Sequence, residues 1–236
     1  LFDDKNYLRI DWLARLFDQK DLVLQRIIEL EPDLVGFHVQ TVHYQEMYEM
    51  AKDLKQHYKV PVIFGGIHPH SSPEKTLLAD DPVVDMICLS DGEYPLLELC
   101  NSIDEGKIDY SIQNLWFRLE DNTIISNECR PLVKNVDEFP TVDKELFAND
   151  IPMKHSYLST PSRGCPFVCN FCSLSFLGKE AVRLGVPRVR ERSVDSLIAE
   201  LKVHIAKYKS DWIDFRQPVM SAREKWTVEF FTRYKE

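Results

Sequence analysis

The feature that most constrains the fold is a regular alternation of short apolar runs and amphipathic segments between residues 21 and 103. Short apolar runs bounded by turn residues predict strands, and apolar residues at helical spacing predict helices. The pattern predicts strands at 34–39, 60–64 and 84–89 and helices at 21–30, 44–58, 73–80 and 93–103. Strands and helices that alternate at these lengths indicate a parallel sheet with right-handed crossovers.

Local signals set the expected ends of these elements. Asp21 is expected to cap the first helix, and Pro32 to stop it. The run 34–39 is almost continuously apolar, which predicts a strand buried on both faces. Pro73 lies where a first helical turn tolerates proline.

Three loops leave the carboxyl ends of the predicted strands, at 40–43, 65–70 and 90–93. Ligands of open parallel sheets bind in the crevice outside these ends. Gly65, Gly66 and Gly92 allow the backbone to approach a large ligand closely. The alternative is ordinary turn chemistry, because glycines after a strand are common in turns.

Three of the six cysteines, Cys165, Cys169 and Cys172, are separated by three residues and then two. This spacing is too tight for a disulfide framework, and a closed zinc site needs four ligands. Iron–sulfur clusters are held by thiolates at such short spacings, and three thiolates leave one iron of a [4Fe–4S] cluster open. The alternatives are a zinc knuckle completed by a distant histidine and a cluster that only transfers electrons. The other cysteines, Cys88, Cys100 and Cys129, have no cysteine at ligand spacing and are interpreted as ordinary thiols.

The second half of the chain begins with a predicted β-hairpin, formed by 114–119 and 123–127, and a proline-containing linker at 128–152. A strand at 157–160, a helix capped by Ser193, a strand at 212–215 and a helix from Arg223 follow. This order predicts the start of a β/α barrel. We therefore expect an α/β domain at 1–110, a hairpin and linker at 111–152, and a partial barrel at 153–236.

Composition narrows the class of protein. The net charge of −9 argues against a nucleic-acid partner, because phosphate binding needs a basic face. No apolar run reaches the roughly 20 residues of a membrane span, and no signal peptide opens the chain. Cysteines without paired spacing favour a reducing compartment, so a cytoplasmic protein is expected. The chain starts at Leu1 rather than Met and ends within a predicted helix, so we expect the protein to continue beyond both ends.

The cysteine motif, with Phe171 before its last cysteine, resembles the signature of radical S-adenosylmethionine (SAM) enzymes. The resemblance implies that Cys165, Cys169 and Cys172 ligate a [4Fe–4S] cluster whose open iron binds SAM, and that Phe171 lies along the adenine. It also implies a (β/α)6 barrel, of which the chain holds only the first two strand–helix units. Acidic residues often follow the second barrel strand of this family. Here Gln217 and Pro218 take that place, which puts a role for this segment in SAM binding in doubt.

Residues 33–103 are similar to the cobalamin-binding domain that precedes the barrel in one branch of that family. The pieces that carry the resemblance are "DLVGFHVQT", "VPVIFGGIHPH", "SPEKTL", "VDMICLSDGE" and "PLLEL". The resemblance implies a flavodoxin-like, Rossmann-like domain that binds cobalamin through Thr41, Gly65, Gly66, His68, Asp91, Gly92 and Glu93. The Asp-x-His-x-x-Gly motif that supplies an axial histidine elsewhere is absent, so cobalamin is expected with no histidine below the cobalt. His43, His68 and His70 are then loop histidines rather than ligands.

The two resemblances together imply an enzyme that cleaves SAM reductively to a 5′-deoxyadenosyl radical and methylates an unactivated carbon of a small molecule. A low-potential donor such as flavodoxin or ferredoxin would supply the electron. An oxidative cyclase with the same cofactors, like the anaerobic cyclase of chlorophyll synthesis, is the first alternative. A non-catalytic cobalamin-binding or electron-transfer module is the second.

Overall fold

A computed structural model describes residues 19–79, 81–148, 153–220 and 223–235. The chain divides into two compact units, one ending at Cys129 and the other beginning at Arg130. The predicted hairpin thus belongs to the first unit, and the predicted domain limits at 110 and 152 stay a prediction. In the described residues no helix is both long and apolar enough to span a membrane.

The first unit is built on a five-stranded sheet in the order β1-β2-β3-β4-β5. Its strands are β1 Val35–His38, β2 Val62–Gly65, β3 Met86–Cys88, β4 Leu115–Arg118 and β5 Ile124–Ser126. The first three strands pair in parallel, as predicted, and the hairpin β4–β5 extends the sheet in antiparallel fashion. The carboxyl ends of β1, β2 and β3 therefore lie at one edge.

The helices of this unit are α1 Lys20–Glu29, α2 Tyr44–His57, α3 Ile67–Ser71, α4 Pro73–Leu77 and α5 Glu93–Asp104. All but α3 follow predicted segments. The prediction that Asp21 caps α1 is wrong: Asp21 lies in the first turn, and the N-cap is Gln19, which makes no side-chain cap. The helix starts earlier than its apolar stripe.

Burial of β1 also differs from expectation. Val35 and Phe37 are buried, whereas Gly36 and His38 are exposed. The apolar cluster containing Phe37 and Leu54 packs on one face of this strand. A second cluster covers the other face of the sheet, but it takes Ile63 and Met86 from the neighbouring strands. Two-sided burial thus applies to β2 and β3 and is wrong for β1.

In the second unit β6 Ser156–Ser159 and β9 Trp212–Phe215 pair in parallel, as the first two strands of a barrel should. Between them lies α7 Val194–Tyr208, whose predicted cap is confirmed: the Ser193 hydroxyl accepts the amide N–H of Ser196 at 3.1 Å. Helix α8 Glu224–Tyr234 follows β9. Tyr157, Leu201 and Phe230 form the centre of this core.

Around the cysteine motif, the described residues form two strands and a helix that the sequence did not predict. Strands β7 Ser162–Gly164 and β8 Val189–Glu191 form a short antiparallel pair, and α6 Ser173–Arg183 connects them. The cysteine motif lies between β7 and α6. These elements fix both ends of the segment that carries the cysteines.

Candidate cofactor-binding sites

The three loops at the edge of the first sheet are hydrogen-bonded to one another; we call them the sheet-edge loops (residues 39–43, 65–70 and 89–93). The amide of Val39 donates to the carbonyl of Gly65 at 2.7 Å, and the amide of His68 donates to the carbonyl of Val39 at 3.1 Å. The first two loops are therefore held together by main-chain atoms. This arrangement depends on backbone and not on particular side chains.

Gly66 is the residue that makes this contact possible. Its φ is +99°, a region that residues with a Cβ rarely adopt. A Cβ at this position would lie 2.8 Å from the carbonyl oxygen of Val39. By contrast, a Cβ at Gly65 or Gly92 would meet only Cys88, at 4.0 Å and 3.6 Å. Of these three glycines, only Gly66 is sterically required, because a Cβ at Gly65 or Gly92 would make ordinary van der Waals contact with Cys88.

The third loop is joined to the second through a buried histidine. His70 is 8% exposed, and its Nδ1 accepts the amide N–H of Ser90 at 2.9 Å. Asn114 supports the same loop by donating from its side-chain amide to the carbonyl of Asp91 at 3.0 Å. The bond to Nδ1 of His70 therefore holds the third loop against the second. The sequence contains no signal for the His70–Ser90 contact.

His68 lies at the surface of the same edge. Its ring stacks on Tyr44 with centroids 4.0 Å apart, and its Nδ1 is 3.4 Å from the hydroxyl of Thr41. Burial lowers the pKa of His68 below its ordinary value, so the neutral ring is favoured. Glu93 is exposed as the first residue of α5, whose N-cap is Gly92. All seven residues predicted to border cobalamin thus lie on these loops.

This edge fits a broad flat ligand such as a corrin ring. Gly65, Gly66 and Gly92 are each partly exposed at this edge and carry no side chain, so a broad ligand can approach the main chain there. The hydroxyl of Thr41 and the neutral ring of His68 offer polar contacts beside them.

The cysteine loop (residues 165–172) follows β7 directly and ends at α6. Its three cysteines are free thiols: Cys165 is buried, Cys169 is exposed and Cys172 lies between these extremes. The carbonyl of Cys169 accepts from the amide of Cys172 at 3.2 Å and from the hydroxyl of Ser175 at 2.7 Å. Cys172 is the N-cap of α6, so the positive end of that helix lies beside the last two cysteines.

Gly164 fixes where this loop begins. Its φ is +88°, and a Cβ there would lie 1.9 Å from the carbonyl oxygen of Arg188. Such a distance is impossible without moving β8, with which Gly164 pairs. The glycine before the first cysteine is thus required by the β7–β8 pair.

Arg188 also holds the loop through its side chain, a contact that was not predicted from the sequence. Its Nη2 donates to the carbonyl of Phe167 at 2.9 Å. The guanidinium lies against Gly178 of α6, where a Cβ would be 2.6 Å from the same nitrogen. A glycine in the helix therefore provides the space for an arginine that anchors the loop.

The tip of the cysteine loop is exposed to solvent. In the described structure its three thiols are not arranged to coordinate one metal ion. Phe171 is 95% exposed, and Phe167 and Val168 are 58% and 55% exposed. No group of three or more His, Cys, Asp or Glu side chains is arranged to hold a metal ion anywhere in the described part of the chain. The donor set still fits an iron–sulfur cluster, since three free thiols occupy one short loop at a helix N-terminus. The sequence left a role of Gln217 in SAM binding in doubt. In the structure, its side-chain oxygen accepts a hydrogen bond from the hydroxyl of Ser162 at 2.8 Å.

Comparison with known proteins supports the assignment of the first unit. The family model for the B12 binding domain matches residues 8–100. An uncharacterized methyltransferase of Pyrococcus horikoshii is 30% identical over 235 residues, which cover 96% of this chain and 48% of that protein. The anaerobic magnesium-protoporphyrin IX monomethyl ester cyclase of Rubrivivax gelatinosus is 26% identical over 166 residues, or 65% of this chain and 29% of the cyclase. The chain thus spans less than half the length of these relatives.

Solved structures agree with the fold. The radical SAM methyltransferase TsrM from Kitasatospora setae, solved with cobalamin and a [4Fe-4S] cluster, matches with a TM-score of 0.66 at 16% identity over 93% of this chain and 43% of TsrM. The cobalamin-dependent radical SAM enzyme OxsB, solved with aqua-cobalamin and SAM, matches with a TM-score of 0.64 at 17% identity over 84% of this chain and 27% of OxsB. At these identities the likeness establishes the fold alone. Residues 8–100 match the B12 binding domain, and the chain shares its fold with the radical SAM methyltransferase TsrM and the cobalamin-dependent radical SAM enzyme OxsB.

Proposed function

We propose that this chain belongs to a cobalamin-dependent radical SAM enzyme that methylates an unactivated carbon of a small-molecule substrate. The observation that carries the proposal is that one chain combines a glycine-lined sheet edge in a B12-binding domain with a three-cysteine loop anchored by Gly164 and Arg188. Each of these features alone has an ordinary structural explanation. Their combination in one chain is what the chemistry of the family requires.

Cys165, Cys169 and Cys172 are the proposed cluster ligands. A thiolate-bound cluster is an anion, and the N-terminal turn of α6 favours negative charge beside Cys172. The amide of Cys172 and the hydroxyl of Ser175 hold the carbonyl of Cys169, which limits the positions that the last two thiols reach. Phe171 is the proposed contact for the adenine of SAM, because its ring is fully presented to solvent beside the cysteines.

Thr41, Gly65, Gly66, His68, Asp91, Gly92 and Glu93 are the proposed contacts of cobalamin. Two observations favour binding without a histidine below the cobalt. His70 uses Nδ1 to accept the amide of Ser90, and the ring of His68 is stacked on Tyr44. The main chain at Gly65 and Gly66 therefore provides the contact surface, and the side chains border it.

When bound, the cluster and SAM supply a 5′-deoxyadenosyl radical that takes a hydrogen atom, and cobalamin supplies a methyl group. The protein has to hold these groups and exclude competing reactions. The reductant is proposed to be a low-potential donor such as flavodoxin or ferredoxin. An oxygen-sensitive cluster with reduced thiolates also favours the cytoplasm as the compartment.

Methylation is preferred to cyclisation because the relative named as a methyltransferase aligns with 96% of the chain. TsrM, described with tryptophan as its substrate, is also a methyltransferase, which favours a small molecule as the substrate here. Oxidative cyclisation is the second candidate, because a named cyclase aligns with 65% of the chain. Both candidates require the same cluster chemistry.

The test is anaerobic reconstitution with iron and sulfide, followed by incubation with dithionite, SAM and cobalamin. We expect about four irons per chain and release of 5′-deoxyadenosine, both lost when any of Cys165, Cys169 or Cys172 is replaced by alanine. Cys100→Ala is the matched control, because Cys100 is exposed on α5 of the other unit. S-adenosylhomocysteine together with 5′-deoxyadenosine supports methylation, and 5′-deoxyadenosine alone supports the cyclase. Stoichiometric zinc without iron would contradict both.

A further inference from the structure

The second unit contains a pocket of about 360 Å³ that the proposed cofactor contacts do not use. Its walls are the segment 136–144, the end of β6 at Leu158 and Thr160, and the start of β7 at Ser162. Four basic side chains, Lys144, Arg163, Arg192 and Arg216, and a single acidic one, Glu200, complete the lining.

Glu200 is the centre of the charge arrangement. It is 7% exposed and accepts hydrogen bonds from the hydroxyls of Tyr157 at 2.9 Å and Ser159 at 3.1 Å. Burial acts to raise the pKa of Glu200, but the Arg192 guanidinium and the Tyr157 hydroxyl outweigh it and hold that pKa below its ordinary value. The carboxylate therefore stays ionised and is fully hydrogen-bonded within the protein.

Two cations share this one carboxylate. Arg192 forms an ion pair with Glu200, and Nζ of Lys144 lies 3.7 Å from Oε1 of the same residue. The group of Lys144, Arg192 and Glu200 thus carries one excess positive charge. Because the Arg192 and Lys144 side chains are only 15% and 14% exposed, water screens this charge poorly.

Lys144 is a cation of the pocket whose charged form is disfavoured by burial. Its Nζ lies 3.6 Å above the ring of Tyr157 and donates to the carbonyl of Leu158. Burial lowers the pKa of Lys144 even though Glu200 opposes the change. An anion in the pocket would stabilise this desolvated ammonium through a charge-assisted hydrogen bond.

The rest of the lining combines further positive charge with apolar surface. Arg163 stacks on the ring of Phe139 at 4.7 Å, and Arg216 pairs with Asp214 at 2.7 Å. Val136, Phe139 and Leu158 supply apolar walls. A ligand that suits these walls has an anionic group and an apolar body.

The pocket also lies at the carboxyl ends of two parallel strands, β6 and β9. Thr160 and Arg216 directly follow β6 and β9, so the pocket opens at the carboxyl ends of the two barrel strands. Active sites of β/α barrels are built at this end. Arg163 belongs to β7, which leads into the cysteine loop.

We propose that this pocket anchors a carboxylate or phosphate group of the small-molecule substrate, with Lys144 as the principal contact. The assignment to a substrate rests on the proposed function, whereas anion binding itself does not. The substrate class is therefore a small organic anion with an apolar body.

The test is isothermal titration of the reconstituted chain with benzoate, phenyl phosphate and the neutral analogue benzamide. We expect at least one of the two anions to bind saturably and benzamide to bind at least about tenfold more weakly, which is the contribution of one charged hydrogen bond. Lys144→Gln should weaken anion binding about tenfold as well. Arg216→Gln, at an exposed side chain, should weaken it about twofold to threefold, and this variant keeps the test valid if Lys144→Gln fails to fold.

Lys202→Gln is the matched control, because Lys202 is exposed on the helix that carries Glu200 and does not line the pocket. Equal binding of benzamide and the anions, or full affinity in both pocket variants, would overturn the proposal. Displacement of the bound anion by SAM would assign the pocket to the SAM carboxylate and overturn the substrate assignment. Formation of 5′-deoxyadenosine is measured on the same preparation. If 5′-deoxyadenosine forms but no anion binds, only the pocket proposal fails. If anions bind but no 5′-deoxyadenosine forms, the proposed function fails, and the assignment of the pocket to a substrate fails with it.

Discussion

The sheet-edge loops and the cysteine loop share one structural feature and differ in how the remaining residues are held. In each, a glycine at positive φ faces a backbone carbonyl: Gly66 faces Val39, and Gly164 faces Arg188. Beyond that glycine the two regions diverge. The sheet-edge loops are joined to each other by main-chain bonds and by His70, whereas the tip of the cysteine loop is exposed around Phe171.

The difference indicates which properties the fold itself determines. The shape of the sheet edge follows from strand pairing, so a substitution that changes this shape should also lower the stability of the first unit. The described part of the cysteine loop is held by the β7–β8 pair, by Arg188 at Phe167 and by the bonds to the carbonyl of Cys169, and its tip at Phe171 is exposed. The arrangement of its three thiols should therefore depend on what they bind. Substitutions that separate stability from cofactor retention test this contrast.

The largest effect is expected from Gly164→Ala. The new Cβ would lie 1.9 Å from the carbonyl oxygen of Arg188, so β8 must move in addition to the backbone strain. We expect a loss of about 3 kcal/mol or more in the free energy of unfolding of the second unit, measured by chemical denaturation, together with loss of iron. Gly185→Ala is the control, because Gly185 also has positive φ, of 79°, but has nothing within 4 Å. Equal losses in the two variants would mean that the contact with Arg188 is unimportant.

A smaller effect is expected from Gly66→Ala in the first unit. Its Cβ would lie 2.8 Å from the carbonyl of Val39, and we expect a loss of about 2 kcal/mol. Cobalamin affinity should fall with stability, because the same glycine forms the proposed contact surface. Gly106→Ala shares the positive φ without any neighbour within 4 Å and should lower stability less, with no change in cobalamin affinity. Unchanged cobalamin binding in Gly66→Ala would remove this edge from the site.

The sequence predicted the elements better than the contacts between them. Strand 212–215 and the Ser193 cap were recovered because each has a local signal, an apolar run or a capping hydroxyl. The cap at Asp21 failed because α1 starts before its apolar stripe. The positions of the seven sheet-edge residues followed from topology, since parallel strands end at one edge.

Contacts between residues in separate loops and elements could not be predicted from the sequence. The contact of Arg188 with Phe167 and Gly178 exists only because β7 and β8 pair and α6 folds back between them. The bond between His70 and Ser90 likewise joins separate loops. No periodicity or motif in either segment indicates its partner, so such contacts become visible only in the folded structure.

A third prediction concerns retention of the cluster rather than folding. Arg188→Ala removes the hydrogen bond to the carbonyl of Phe167, so we expect a stability loss of about 1 kcal/mol and clearly faster transfer of iron to a chelator. Arg183→Ala is the control, because Arg183 is an exposed arginine at the end of α6 that pairs with Glu180 and does not bond the cysteine loop at Phe167. If the two variants release iron at the same rate, the anchoring role of Arg188 is refuted.

The smallest effect is a pH dependence of the first unit. Burial lowers the pKa of His68 below its ordinary value of 6.5, so protonation favours the unfolded chain. The contribution of neutral His68 to stability is complete above pH 6.5 and is lost as pH falls through the folded-state pKa. His68→Gln should therefore lose less stability than the wild type on acidification from pH 7.5. Parallel stability–pH curves for the two proteins would refute the partial desolvation of this ring.

The most direct test of the account is a cobalamin titration followed by visible absorption, which reports whether a base lies below the cobalt. It is made on the wild type and on a variant with Cys165, Cys169 and Cys172 all changed to alanine. The account predicts saturable binding with a base-off spectrum and equal affinity in both proteins, because the sheet edge is formed without the cysteine loop. A base-on spectrum that disappears in His68→Ala, or no binding by the wild type, would contradict it.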